Sequence, residues 1–386
     1  MEKKGGSMKF YGNVVAHDEA GYGYIEVVDG KISDVVIESQ CKYDADWILP
    51  GFIDTHLHGL LDGAATSEKV HLMAEQAPST GLVRFCPAMA SDTHEKMLDF
   101  IEAVRDIVKF PSKNNSLIVG SHLEGPYMEY VHRGGMNVNF IRMPDIEEVG
   151  NFLKCADGTL KIMTISPELD GADEVIAELL KNGCIVSAGH TGMSIEQAAH
   201  FAEIGGKAVC HICDTWDGRV VENGVVQPST MDAVLLDDRL FVEMISDGVH
   251  VPPLMVKTVV RTAGAKRIIG ITDALIGAGD PQGEYPMTDS GRSFRYKDGV
   301  FRLTDGSDAI VGSCLTMNTA FYNLTNIFGF SPVESAWMTS GNSACYLGID
   351  SFTGSLKKGL NADIVILAND MQTVEKTLLN GEVIYE

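Results

Sequence analysis

Two histidines stand two residues apart where an apolar run ends, in Ile48-Leu-Pro-Gly-Phe-Ile-Asp-Thr-His-Leu-His-Gly59. Alternate residues of a strand project to one side, so His56 and His58 can present both imidazoles to one space. Two neutral imidazoles converging on a point make half a site for a borderline divalent metal such as zinc or iron. Taken alone, the pair is better explained as two rings each satisfied by a backbone carbonyl. Further residues of the same chemistry change that balance. Glu124 lies in Ser121-His-Leu-Glu-Gly-Pro-Tyr127, where Gly-Pro breaks the run directly after the carboxylate and fixes it at a rim. His190 sits among small residues in Ser187-Ala-Gly-His-Thr-Gly192, which leaves room for ligands around it. His211 follows Ala208-Val-Cys, and Asp273 follows Ile268-Ile-Gly-Ile. In isolation Asp273 serves equally well as a helix N-cap, and either histidine as a satisfied core residue. Together, four of the eleven histidines and two carboxylates close apolar runs, which is the inventory of a metal site.

Such a set supports hydrolysis. A bound divalent metal brings the pKa of water to roughly 7 and polarises a carbonyl oxygen. A carboxylate such as Asp273 can take the water's proton and return it to the leaving group. The bond attacked would be an amide, an ester or a related C–N bond.

These residues are distant in sequence, so the elements between them must bring them together. Apolar runs end near Asp54, Pro87, Glu124, Ser166, His190, His211, Asp247 and Asp273, and amphipathic helices are predicted over 94–108, 174–182, 195–204 and 254–263. Eight strands alternating with helices fit an α/β fold, a (β/α)8 TIM-like barrel, whose chemistry sits at the C-terminal strand ends. The 211–241 connection is long and poor in pattern and is expected to be a functional loop. Residues 280–304 read as a hairpin inserted before the final helices. Both ends of the chain are rich in β signals, including the Asn380-Gly381 turn, and predict a small β-sandwich domain built from 1–50 and 355–386 around a barrel over 51–354. The opening Met1-Glu-Lys-Lys-Gly-Gly-Ser carries no fold information.

A formal net charge of -23 argues against nucleic acid or an anionic membrane as partner, although a local cationic pocket could still take an anionic small molecule. The eight cysteines form no framework and suit a reduced, cytoplasmic setting, and Cys210-His-Ile-Cys213 has no second pair to complete a structural zinc site. Neither a secretory leader nor a membrane span is read.

With these motifs in place the sequence resembles the N-acetylglucosamine-6-phosphate deacetylases of the amidohydrolase superfamily. The likeness runs through Pro50-Gly-Phe-Ile-Asp-Thr-His-Leu-His-Gly59, His122-Leu-Glu-Gly-Pro126, Gly189-His-Thr191, Asp247-Gly-Val-His250, Thr272-Asp-Ala274, Val311-Gly-Ser-Cys-Leu-Thr-Met317 and Gly354-Ser-Leu-Lys-Lys-Gly-Leu-Asn-Ala-Asp363. It implies that Glu124, His190 and His211 hold the principal metal and that Asp273 is the general acid/base. With His56 and His58 also present, it implies one or two divalent ions, zinc or iron, with Glu124 placed to bridge. It further implies that His250 contacts a substrate phosphate, with Arg219 reaching it from the second subunit of a homodimer. The chain departs from the family around the substrate. Met136, in Gly134-Gly-Met-Asn137, stands where the family has a histidine that polarises the acetyl carbonyl, and a thioether donates no hydrogen bond. After His211 the family's sugar-binding run is replaced by Ile212-Cys-Asp-Thr-Trp-Asp-Gly-Arg219, which puts Asp214 and Thr215 beside the substrate and brings acid near a phosphate. Three outcomes stay open. The first is removal of the acetyl group from N-acetylglucosamine-6-phosphate. The second is the same chemistry on another N-acyl compound: N-acetylgalactosamine-6-phosphate, an unphosphorylated sugar or an N-acyl amino acid. The third is a non-catalytic metal-binding barrel.

Overall fold

The computed structural model describes residues 7–111, 117–287 and 291–386, so the opening segment 1–6 lies outside the described residues. Eight parallel strands form one sheet in chain order: Phe52–Leu57, Leu82–Ala90, Ser121–Glu124, Leu160–Ile165, Ile185–Ala188, Ala208–Val209, Phe241–Ile245 and Ile268–Ile271. They are buried almost throughout, as parallel strands covered on both faces must be. The predicted helices appear as His94–Lys109, Ala172–Lys181, Ile195–Glu203 and Pro253–Ala263. The first shows why such a stretch is helical. Thr93 caps it by accepting from the Lys96 amide, and Met97, Phe100, Ile101 and Val104 recur at helical spacing to line its buried face. Three further helices, Val70–Gln76, Ile146–Ala156 and Thr230–Leu236, also pack on the barrel.

The first and eighth strands are joined just beyond their ends rather than by a regular ladder. The Asp273 amide donates to the His56 carbonyl at 2.9 Å, and the His58 and Gly59 amides both donate to Ala274 at 2.8 Å. Asp54 spans the same seam, accepting from the Thr272 hydroxyl at 2.6 Å and the His56 amide at 3.1 Å. Only glycine fits at 59, because a Cβ there would lie 2.2 Å from the Ile276 nitrogen.

The two ends of the chain meet in one seven-stranded sheet. Its order is Glu382–Tyr385, Val374–Leu379, Ile364–Leu367, Trp47–Pro50, Met8–Val15, Ala20–Val28 and Lys31–Ser39. A separate apolar cluster that includes Val14, Ile25, Ile48, Ile364 and Leu378 packs it. The 280–304 insertion is larger than a hairpin: Glu284–Pro286, Ser293–Lys297, Val300–Leu303 and Ile310–Ser313 form a four-stranded antiparallel sheet. Its last strand lies against the eighth barrel strand's exit, where the Ser313 amide donates to the Asp273 carbonyl at 2.9 Å. Within the 211–241 connection the chain makes a short hairpin, Val221–Glu222 with Val225–Val226, before the helix Thr230–Leu236.

Candidate active site and metal centre

Each polar residue named from the sequence as closing an apolar run emerges at the same end of the barrel. His56 lies inside the first strand and His58 one residue past it; Glu124 ends the third strand; His190, His211 and Asp273 each follow a strand by two residues. Those last three share a feature that the sequence does not display. All have positive φ, 51° at His190, 22° at His211 and 49° at Asp273, a region costly for residues other than glycine. The left-handed turn ends the strand and redirects the side chain inward over the barrel mouth.

There the side chains converge on Glu124. Its Oε1 lies 3.0 Å from His211 Nε2, 3.1 Å from His190 Nε2 and 3.4 Å from His56 Nε2. Its Oε2 lies 3.1 Å from His58 Nε2, and that nitrogen is also 3.1 Å from Asp273 Oδ1. All of these groups are buried apart from His58, which is partly so. Burial works against charge on Glu124, but the surrounding rings, His56 first, hold its carboxyl well below the usual range. Burial likewise opposes a charged His58, yet hydrogen bonds to Asp273 and Glu124 push its pKa up to about 9. Asp273 is in turn held below the usual carboxylate range, chiefly by His58 and against its own burial.

The donor set fits a divalent cation. His190 Nδ1–H donates to the His132 carbonyl at 2.9 Å, which orients the ring so that Nε2 faces a carboxylate oxygen of Glu124. The His56 and His58 Nε2 atoms face each other at 3.3 Å. Electron-rich atoms this close need protons or a cation among them, and imidazole with carboxylate is the set that zinc and iron take. Among the described residues three groups have ligand atoms within 4.8 Å of one another: His56, His58 and Asp273; His56, Cys210 and Glu243; and Glu124, Cys210 and His211.

Several surrounding residues carry no expectation from the sequence. His122 is fully committed, donating from Nδ1 to the Thr55 carbonyl at 2.9 Å and accepting at Nε2 from Thr164 at 2.8 Å, with burial pushing its pKa well down. On the far side of His56, Nδ1 faces Cys210 Sγ at 3.3 Å and Glu243 Oε2 at 3.7 Å. Glu243 was findable: it is a lone charge in the apolar Phe241-Val-Glu-Met-Ile strand, and a buried carboxylate there needs a partner.

A cavity of about 1030 Å³, open to solvent, rises above the cluster. His250, Asp214, Thr215 and Met136 all line it, together with Asp273. Asp247 accepts from His250 Nδ1 at 2.6 Å, and this contact outweighs burial and raises the ring's pKa. Met136 is buried and its sulfur lies 3.4 Å from the Ser91 hydroxyl. Arg219 lies outside this cavity, exposed and paired with Asp232 at 2.5 and 2.9 Å.

The sequence profile of the amidohydrolase family matches residues 47–384. The chain belongs to the amidohydrolase family. This amidohydrolase is 28% identical over 377 residues to an N-acetylglucosamine-6-phosphate deacetylase of Bacillus subtilis, covering 94% of this chain and 93% of that one. It is 27% identical to an N-acetylgalactosamine-6-phosphate deacetylase of Escherichia coli O157:H7, with 93% of each covered. Among solved structures, the N-acetylglucosamine-6-phosphate deacetylase of Thermotoga maritima superposes with a TM-score of 0.84 at 30% identity, over 98% of this chain and all (100%) of that one. The corresponding Mycobacterium smegmatis enzyme gives 0.87 at 28%, over 98% and 100%. The amidohydrolase is thus an enzyme of amide-bond hydrolysis on a (β/α)8 barrel. No helix among its described residues is long and apolar enough to cross a membrane.

Proposed function

We propose that this amidohydrolase is a metal-dependent deacylase that releases an acyl group, acetyl in the first instance, from the nitrogen of a small molecule. The observation that carries this is Asp273: its Oδ1 lies 3.1 Å from His58 Nε2 while the side chain also lines the cavity. A site for binding alone has no use for a proton carrier at that position. His56, His58, Glu124, His190 and His211 would hold one or two ions, zinc or iron. An ion bound there lowers the pKa of water towards roughly 7 and draws charge from the amide oxygen. Asp273, ionised because His58 keeps its pKa low, accepts the water's proton and delivers it to the departing nitrogen. His58 steadies that carboxylate. Burial of Glu124 and the rings keeps bulk water from screening these charges. Met136 cannot donate to the amide oxygen, so that task falls to the metal centre.

The relatives make an N-acetylated amino sugar phosphate the first substrate to test, with His250 at the phosphate and Arg219 supplied by the second copy of a homodimer. A second reading, another N-acyl compound, is favoured by Met136 and by Asp214 in the cavity wall. The test is acetate release from N-acetylglucosamine-6-phosphate, N-acetylgalactosamine-6-phosphate, N-acetylglucosamine and N-acetyl amino acids by zinc- or iron-loaded protein. Turnover of any of them, lost on metal removal and restored on its return, is expected. Full metal loading with no amide hydrolysed in the panel would overturn the proposal.

A further inference from the structure

Above the metal centre one side of the cavity wall is hydrocarbon and thioether. Met89 comes from the second barrel strand, Met136 from the loop after the third, and Leu275 from just past the eighth. The inserted four-stranded sheet adds Met287, Phe294 and Val311. Phe294 is held rigidly there, edge-on to Phe301 at 5.0 Å and stacked on Tyr285 at 5.6 Å. Among the described residues the lining holds no lysine or arginine. The guanidinium of Arg292 donates to the carbonyl of Gly135, a lining residue, at 2.7 Å. The cationic candidate that does line the cavity is His250, whose Nδ1 is bound to Asp247, leaving Nε2 for a ligand. Asp214 lies in the same wall.

A phosphate monoester carries about -1.5 to -2 charges at neutral pH and binds tightly where two or more cationic donors meet it. Within one chain, a single imidazole beside an aspartate falls short of that, and the shortfall would have to be met by Arg219 of a second copy. A carboxylate carries one charge and is matched by one imidazole. Along its Met, Leu, Val and Phe side the wall favours an alkyl or aromatic body over a hydroxylated ring, whose hydroxyls would lose water there. We infer that the substrate is an N-acyl amino acid with an apolar side chain, its carboxylate on His250 and its side chain against the methionine- and phenylalanine-lined wall.

This rests on the deacylase reading above and specifies its substrate. In the step, water adds across the amide: the C–N bond breaks, a C–O bond forms, the acyl group leaves as a carboxylate and its former nitrogen as the amine.

The experiment uses the full-length, metal-loaded protein with N-acetylphenylalanine and N-acetylleucine of both configurations, N-acetylglucosamine and its 6-phosphate, read by release of amine and acetate. An N-acetyl amino acid should exceed the sugar phosphate in kcat/KM by at least tenfold. Met287→Ala, a change at a half-buried wall position, should lower that value severalfold through KM while bound metal stays constant. A sugar phosphate cleaved as well or better, with Arg219→Ala abolishing the preference, overturns this inference and leaves the deacylase proposal standing. Failure on every amide despite bound metal overturns both.

Discussion

Replacing Asp273 by Asn tests the division of labour at the site, because the substitution changes the chemistry and little else. Asparagine has the same shape and tolerates the left-handed backbone that holds Asp273 at φ 49°. The backbone anchors remain: the Asp273 amide still donates to His56 and its carbonyl still accepts from Ser313, both at 2.9 Å. An amide oxygen can still accept from His58. What is lost is the ability to take a proton. General-base removal costs roughly a hundred- to ten-thousandfold in rate, which is about 3–5 kcal/mol of barrier. Steady-state kcat, metal content by elemental analysis and thermal melting should be measured on the same preparation. The expected result is kcat down by that factor with metal stoichiometry and Tm little changed. In the parent enzyme the carboxyl is held below its ordinary range, so the active, ionised form persists at neutral pH and is lost only as pH falls through that lowered value. The variant should lack this acidic limb. A kcat within tenfold of the parent would remove Asp273 from proton transfer. Loss of metal instead would make it principally a ligand.

His190→Asn withdraws a ring whose Nδ1 is anchored on the His132 carbonyl, and should weaken metal binding by more than the roughly 10–100-fold typical of an outer contact; unchanged titration with zinc would remove His190 from the ligand set. Chelation of the ion should lower Tm, since a ligand at a thousand times its Kd stabilises by about 4 kcal/mol; an unmoved melting curve would show that the cluster folds without it. Asp54 is pushed up to about 7 mainly by burial, so in the folded state it keeps its proton where the unfolded chain has lost it. Its contribution is therefore fully present below the unfolded value near 4 and fades as pH rises through 7. Asp54→Asn should flatten the fall in Tm of the metal-free protein between about pH 4 and 7, and a slope equal to the parent's would refute this.

Much of the barrel was legible because a buried parallel strand is an uninterrupted apolar run, and a polar residue at its end is conspicuous. Glu124, His190, His211 and Asp273 all stood out for that reason. The helices with strong caps and periodicity were legible too. What failed to show was whatever depends on partners distant in sequence. Nothing in Ser187-Ala-Gly-His announces that His190 adopts a left-handed backbone, because that conformation is imposed by the closed ring of strands. The pattern of 280–304 suggested a hairpin; its growth to four strands depends on Ile310–Ser313 finding the eighth strand's exit. His122 carried no expectation from the sequence, and its supporting role shows only in its hydrogen bonds to Thr55 and Thr164. Arg219 lies on the surface with Asp232 because the 211–241 segment leaves the cavity after Thr215 and folds as a hairpin over 221–226 and the helix Thr230–Leu236.

The seam between the first and eighth barrel strands also bears on how the chain can be made. His56 and Asp273 meet there, and the strand just before the seam, Trp47–Pro50, is flanked by Ile364–Leu367 from the far end. Met8–Val15 lies on its other side and is made before it, but the Ile364–Leu367 neighbour emerges only when almost the entire chain has been made. Contacts of such sequence separation form late and slowly. Truncation within 364–385 would strip Trp47–Pro50 of that neighbour and loosen the barrel strand that follows it, and should weaken zinc binding although no candidate ligand lies in the deleted stretch.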